Sequence, residues 1–279
     1  MVHACPACGH ATAQRLLYEK NGCAVMRCTE CGLGRTDASG FDPSTYYTED
    51  YFSGGHSDGY ADYRAAEPTL RREFAHVVRF IRRYKPAGRL LEIGCAYGFF
   101  LQEARAHFEV QGIEIAADAA AYARQQGLEV RQGIADADTL APLGTFDVIV
   151  LLDVIEHLPD PAGTVALIAE HLAPGGIVVM TTGDFASPLA RLTGVRWRLM
   201  TPPQHLWFFT PESMRRLARA QRLQVERVDH PWKTVPLSLI LFQLGRMVGL
   251  HASAPALGRV GLPVNLFDAM RVVMRKAAA

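Results

Sequence analysis

Cys5-Pro-Ala-Cys8 and Cys28-Thr-Glu-Cys31 are two CxxC pairs with 19 residues between them, and each pair is followed at once by a glycine, Gly9 and Gly32. A CxxC turn offers two thiolates from one knuckle, so two such turns supply the four soft ligands of a tetrahedral zinc ion. The glycine permits the tight backbone around the sulfurs. Four cysteines complete the shell, so the metal is expected to be structural and not catalytic. Disulfides are the competing reading, disfavoured in a reducing compartment. Cys23, His3 and His10 lie in the same region but have no partner at knuckle spacing.

A second constellation is LLEIGCAYGFF, Leu90–Phe100. An apolar run reaches a lone carboxylate, Glu92, and then meets Gly94 and Gly98. Glycines at the carboxyl end of a parallel strand let the backbone approach a ligand where a Cβ would clash, and the next helix aims its first N–H groups at the same place. The loop is Gly-Cys-Ala-Tyr-Gly, without the GxGxxG spacing of a dinucleotide site, and a carboxylate on the strand would repel a pyrophosphate. The arrangement suits a ligand that carries positive charge, an ammonium or a sulfonium. Two histidines complete the reactive inventory. His157 follows an apolar strand, and His205 stands beside Trp207, Phe208 and Phe209. Histidine is the side chain suited to taking a proton near neutral pH.

These residues need a frame. Residues 1–36 are expected to be a metal-binding ribbon, with short strands at Gln14–Tyr18 and Ala24–Arg27. Residues 37–60 are a linker rich in Gly, Ser, Asp and Tyr; its Tyr46, Tyr47, Tyr51 and Phe52 form either a lid or a packing strap. Residues 61–279 form the main domain. Leu70, Phe74, Val77, Val78 and Ile81 share one face of a helix within residues 61–84. A β/α alternation follows, with strands at Arg89–Ile93, Glu109–Ile115, Leu128–Gln132, Phe146–Leu152 and Gly176–Thr182. Helices are expected at Phe99–His107, Ala117–Gln126 and Pro161–Leu172. That alternation predicts an α/β fold, a parallel sheet with helices on both faces. Thr210-Pro211 opens a further helix. Leu237–Leu250, within an apolar insertion of about residues 236–262, is too short to span a bilayer. It reads as a helix packed on the sheet or against a second copy, or as a contact for a lipid-like substrate or membrane surface.

Composition bounds the function. Half of the 279 residues are hydrophobic (49%), enough for a sizeable core. The 29 basic and 28 acidic residues leave a net charge of +1, no electrostatic footprint for nucleic acid. The ribbon's own Arg15, Lys20, Arg27 and Arg35 do not make one either. With no signal-peptide pattern at the start, a soluble cytoplasmic protein is expected.

The series of motifs resembles the class I S-adenosylmethionine-dependent methyltransferases. Their first motif, acid-x-Gly-x-Gly-x-Gly, is matched by Glu92-Ile93-Gly94-Cys95-Ala96-Tyr97-Gly98, with Ala96 in place of the middle glycine. An acid ending the second strand matches Glu114, followed by Ile115. Gln132-Gly133-Ile134-Ala135-Asp136 stands where the family borders the adenine, with Ile134 at a position the family makes acidic. FDVIVLLDVIEHLPDP, Phe146–Pro161, is similar to the strand-four block of ubiquinone-biosynthesis O-methyltransferases and of sugar and natural-product methyltransferases. LAPGGIVVMTT, Leu172–Thr182, matches the turn into strand five, and Leu262–Lys276 resembles the last, antiparallel strand. The matches cover residues 88–182 and part of the tail.

The resemblance implies a Rossmann-like, seven-stranded, mostly parallel sheet with a small N-terminal zinc ribbon. It implies S-adenosylmethionine as cofactor and S-adenosylhomocysteine as product. Glu92, Gly94, Cys95, Ala96, Tyr97, Gly98, Glu114, Ile115, Ile134, Ala135, Asp136, Leu152, Asp153 and Val154 would hold it. The expected reaction is methyl transfer to a small-molecule acceptor, at a hydroxyl oxygen, with His205 ahead of His157 as base. Two other readings stand beside it: a methyltransferase on a macromolecule read by the ribbon, and a non-catalytic binder of the cofactor.

Overall fold

An unbroken aliphatic run suits a strand covered on both faces, and FDVIVLL forms one over the expected residues, Phe146–Leu152. The computed structural model describes residues 1–38, 40, 41, 46, 52, 62–247 and 255–278. In chain order the strands are β1 (Val2–Cys5), β2 (His10–Lys20), β3 (Cys23–Cys28), β4 (Gly34–Asp37), β5 (Gly88–Ile93), β6 (Phe108–Glu114), β7 (Glu129–Gln132), β8 (Phe146–Leu152), β9 (Leu172–Gly183), β10 (Trp207–Phe208), β11 (Leu223–Asp229), β12 (Lys233–Pro236), β13 (Gly261–Val264) and β14 (Ala269–Lys276). The α-helices are α1 (Glu67–Ile81), α2 (Phe99–Ala104), α3 (Ala117–Gln125), α4 (Ala137–Leu140), α5 (Pro161–Glu170), α6 (Pro188–Thr193), α7 (Pro211–Ala220) and α8 (Leu237–Met247).

The fold is Rossmann-like α/β, and seven strands form its mixed sheet. The chain divides into two compact units. The first comprises Met1–Phe41, Ala135–Pro231 and Leu266–Ala279. Four strands of the mixed sheet lie in it, in the order β11-β14-β9-β8. β8 and β9 are parallel, while β14 runs antiparallel to both β9 and β11. The second unit comprises Asp42–Ile134 and Trp232–Asn265. It carries the parallel strands β5-β6-β7 and an antiparallel β12-β13 pair.

Two local departures from expectation have simple causes. Leu262–Lys276 does not form one strand: β13 pairs with β12, and β14 begins only at Ala269. Pro263 has no N–H to give to a ladder in a sheet interior, and it sits in a two-stranded sheet. The Ala173-Pro174-Gly175-Gly176 stretch, read as a turn, is absorbed into β9 by a register shift between Phe146 and Val148. α8 covers the first part of the apolar Leu237–Leu250 stretch. It buries Phe242 and exposes Leu241 and Leu244; residues 248–254 lie outside the described residues. Of the aromatic run in the linker, Tyr47 and Tyr51 also lie outside them, whereas Phe52 is buried edge-on against Tyr63 and Tyr97. No helix among the described residues is long and apolar enough to cross a membrane.

In the first unit, the ribbon strands are part of a larger sheet. β1-β2-β3-β4 continue into β10, with Trp207 opposite Arg35 and Phe208 opposite Gly34. Val25 of β3 shares a core with Phe185, Ala190, Trp197, Met200 and Phe208. Gly34 is required there, since a Cβ would stand 2.9 Å from both Phe185 and Phe208. Asp268, which is buried, anchors the loop that leads to His205. Its carboxylate accepts from the Trp197 indole N–H at 2.9 Å and from two nitrogens of Arg198, each at 2.9 Å. Removing one member of a buried, multiply bonded pair leaves the others unpaired. Asp268→Ala is therefore expected to destabilise the protein by about 2–3 kcal/mol, less than for a fully buried pair because Arg198 is part-exposed. A urea midpoint unchanged from wild type would refute that anchoring role.

Candidate functional site

In the second unit, β5 ends at Ile93 and the chain turns through Gly94–Gly98 into α2. Gly94, Ala96 and Gly98 all have positive φ, 75°, 46° and 77°. Ala96 takes a left-handed conformation that costs a non-glycine residue about 1 kcal/mol. Its N–H donates to the Glu114 carboxylate at 2.7 Å, a charge-assisted bond that offsets the cost. Gly98 has no substitute, because a Cβ would meet Leu128 Cδ1 at 2.5 Å. Glu114 ends β6, and its other oxygen accepts from Ala116 N–H at 2.8 Å. One buried carboxylate thus braces both loops of the unit.

Glu92 is buried beside it, and its Oε2 has no hydrogen-bond partner among the described residues. Burial first, and the Glu114 charge second, push its carboxyl well above the ordinary range. Burial likewise raises Glu114, against the backbone N–H groups that lower it. Two buried acids, one with an orphaned oxygen, fit a cationic ligand. The other loop residues contribute through the backbone or packing. Cys95 accepts from Gly98 N–H at 2.8 Å and turns its sulfur toward Gly112, where burial pushes the thiol up, so it is no nucleophile. Tyr97 stacks on Tyr63 and Phe99. Ile115 is half-buried, and Ile134 is exposed.

In the first unit, Ala135 precedes Asp136, whose carboxylate accepts from Thr139 N–H at 2.8 Å and caps α4. Leu152 and Val154 are half-buried around Asp153, which has φ 56°. Asp153 is tied to β9, its N–H donating to the Thr181 carbonyl and its carboxylate accepting from Thr181 Oγ1 at 2.8 Å.

The same unit brings His157 and His205 together, ring centroids 4.8 Å apart and nearly perpendicular. His157 Nδ1 bonds the Gln204 carbonyl at 3.0 Å, and Leu206 N–H returns to the Glu156 carbonyl at 2.9 Å. Burial, and then His157, hold His205 well below the ordinary histidine range, so it is neutral at pH 7. Glu156 is the residue the sequence reading undervalued. It is buried, and its carboxylate lies within 4.8 Å of the ligating nitrogens of both histidines. The Glu-His dipeptide was visible, but nothing linear ties it to a residue 48 positions on.

The four cysteines also converge. Their Sγ atoms lie within 4.8 Å of one another, with Cys5–Cys31 at 3.6 Å and Cys8–Cys28 at 4.0 Å. Four sulfurs at a zinc–sulfur distance of about 2.3 Å would stand about 3.8 Å apart, so the cluster fits the ion. The knuckles are alike: Gly9 N–H bonds the Cys5 carbonyl, Gly32 N–H the Cys28 carbonyl, and both glycines have φ near 75°. Thr12 Oγ1 lies 3.2 Å from Cys28 Sγ, and Arg216 donates to Cys8 Sγ at 3.6 Å.

Residues 63–228, more than half the chain, match the family described as "Methyltransferase domain". The chain belongs to this family. It is 32% identical over 152 residues to a ubiquinone biosynthesis O-methyltransferase of Caulobacter sp., covering 49% of this chain and 60% of that one. It is 32% identical over 149 residues to the protein of the same name from Aromatoleum aromaticum, with 49% and 64% covered. The chain therefore spans less than two thirds of either relative. Among solved structures, the magnesium protoporphyrin IX methyltransferase of Synechocystis with bound S-adenosylhomocysteine superposes with a TM-score of 0.52 at 13% identity, covering 84% of this chain and 99% of that one. At that identity the likeness concerns the fold alone.

The buried acids set a pH dependence. A carboxyl whose folded pKa is raised binds its proton more readily folded than unfolded. Its contribution to stability is present below the unfolded value of 4.5 and is lost as pH rises through the raised folded value. In cofactor-free protein, the melting temperature is expected to fall as pH rises above the unfolded value of 4.5, and less steeply in Glu92→Gln. Parallel profiles for the two proteins would remove Glu92 as the source.

Proposed function

We propose that this methyltransferase-family chain transfers the methyl group of S-adenosylmethionine to a hydroxyl oxygen of a small-molecule acceptor. The observation that carries the reading is the orphaned Glu92 oxygen, buried next to Glu114 behind a glycine loop. That is a place for a cation, and the cofactor brings an ammonium and a sulfonium. The relatives' O-methyltransferase names support oxygen as the acceptor atom.

The cofactor supplies an activated methyl on sulfur. Glu92 would balance its positive charge, and Glu114 would accept from the ribose hydroxyls on lone pairs its two backbone bonds leave available. The Gly94–Gly98 backbone would approach it closely, and Ile134 would offer an apolar face to the adenine. In the first unit, Asp153 is held in place by Thr181 between the half-buried Leu152 and Val154. His205 and His157 would take the acceptor's proton. The bound cofactor would supply its sulfonium methyl to that oxygen, giving a methyl ether and a neutral thioether. A neutral His205 at pH 7 is in the protonation state that can accept a proton.

The four cysteines would hold a structural zinc ion, with no open position for catalysis. Thr12 and Arg216, bonded to two of the sulfurs, would steady the thiolates. The sheet continuity from β4 to β10 gives the ribbon a structural part in the enzyme and favours a small-molecule acceptor over a macromolecule read by the ribbon.

Glu114→Ala should weaken S-adenosylmethionine binding by about 10–100-fold, from the loss of charge-assisted bonds. His205→Ala should lower turnover by about two orders of magnitude and leave that affinity intact. Calorimetry and methyl release from labelled cofactor across an acceptor panel would check both. Wild-type affinity in the first variant, or no methyl release with any hydroxylated acceptor, would reject the reading. For the ribbon, about one zinc per chain is expected by elemental analysis of isolated protein. Cys31→Ser should release it and lower the melting temperature of the first unit. Metal-free isolated protein would contradict the assignment.

A further inference from the structure

Glu156, His157 and His205 form a cluster that the cofactor site does not use. We propose that these three side chains bind a divalent cation of the zinc, cobalt or manganese type, separate from the four-cysteine site. Their ligand atoms, one from each residue, lie within 4.8 Å of one another, close enough for small side-chain adjustments to gather them around a single ion. The residue types are a carboxylate and two imidazoles, a set that leaves coordination positions open on the metal.

The surroundings of the rings are those of ligands. A metal-bound histidine usually donates its other ring N–H to a backbone carbonyl or carboxylate, which fixes tautomer and orientation. The His157 Nδ1 bond to the Gln204 carbonyl, at 3.0 Å, places the proton on Nδ1 and the lone pair on Nε2. The cluster is also held from both sides. Leu206 N–H bonds the Glu156 carbonyl, and Thr36 Oγ1 donates to the His205 carbonyl at 2.6 Å. Trp207 donates to the Leu158 carbonyl at 2.8 Å. Glu156 is buried, and a buried carboxylate between two imidazoles costs less beside a cation than without one.

For its role, though not for its binding, the site rests on the function proposed above. An acceptor hydroxyl on the open positions would lose its proton near neutral pH because the cation stabilises the alkoxide or phenolate. The histidines then serve as ligands, and the proton leaves to solvent before the oxygen attacks the methyl group. An acceptor with two adjacent oxygens would be favoured, since both can reach one ion.

Cobalt(II) is the probe, because thiolate-bound cobalt has intense near-ultraviolet charge-transfer absorption that a nitrogen and oxygen site lacks. Metal-stripped, reduced full-length protein should take up about two cobalt ions per chain, one with the thiolate bands and one with weak visible bands only. Glu156→Gln and His205→Ala should each lose the second ion, with affinity reduced beyond the about 10–100-fold typical of outer-shell changes. Both should keep the thiolate bands. Those bands are an internal check of folding, since the ribbon sheet runs into β10, two residues from His205. Glu114→Ala should keep both ions while losing the cofactor, so failure of the metal site and failure of the methyltransferase reading are separable. Uptake of the thiolate-bound ion alone by wild type, or retention of both ions by the two variants, would overturn the proposal and leave the histidines as bases.

Discussion

The pairing of β4 with β10 is the constraint on which the first unit depends. β10 is only Trp207–Phe208, too short to hold a position by itself. It is fixed because the ribbon lends it a neighbour. Thr36 donates its N–H to the Leu206 carbonyl at 2.8 Å and its hydroxyl to the His205 carbonyl. Asn21 Nδ2 reaches the Pro202 carbonyl at 2.7 Å, and Lys20 Nζ the Val195 carbonyl at 3.0 Å. The segment that leads to and bears His205 is thereby hydrogen-bonded to the ribbon at Val195, Pro202, His205 and Leu206. Burial of Val25, Phe185, Trp197 and Phe208 adds about 1.5–3 kcal/mol per large side chain to that attachment. The ribbon becomes in this way a support for the loop that bears His205, and loops that carry reactive groups are usually held by such a scaffold.

The second unit works by the opposite means, through charges left in tension. Glu92 and Glu114 are both buried, and no cation accompanies them among the described residues. Such a pair lowers the stability of the empty fold. A cationic ligand placed there would relieve the repulsion as well as make contacts. Ala96 shows the coupling at one residue: its left-handed backbone is tolerable because Glu114 holds its N–H. The acid that suits the ligand is also the acid that shapes the loop.

Much of this was legible in the sequence, for reasons that are local. CxxC-Gly twice is a complete ligand set in two short turns, and the convergence of the four sulfurs needs little beyond a hairpin. The strand β8 and the loop after β5 are recognisable because apolar runs and paired glycines have few other uses. The first turn of α7 was equally plain, with Thr210 as cap and Pro211 behind it. Boundaries were less secure where one feature could serve two elements, as with Pro263 in the separate β12-β13 pair and not in the last strand.

Sequence alone determined the fold class, the family motifs and the pairing of the four cysteines in two knuckles, since each depends on spacing within one segment. Only the tertiary structure decided that the ribbon shares a sheet with the His205 segment, because a two-residue strand leaves no periodic trace. Only the structure joined Glu156 and His157 to His205, through bonds from Gln204 and Leu206 that cross 47 and 50 positions. Only the structure showed Asp136 capping α4, Cys95 turned into the packing, and an unpartnered oxygen on Glu92. Burial and hydrogen-bond occupancy set the state of each of those groups, and both are properties of what surrounds a residue in space and not of what precedes and follows it in the chain.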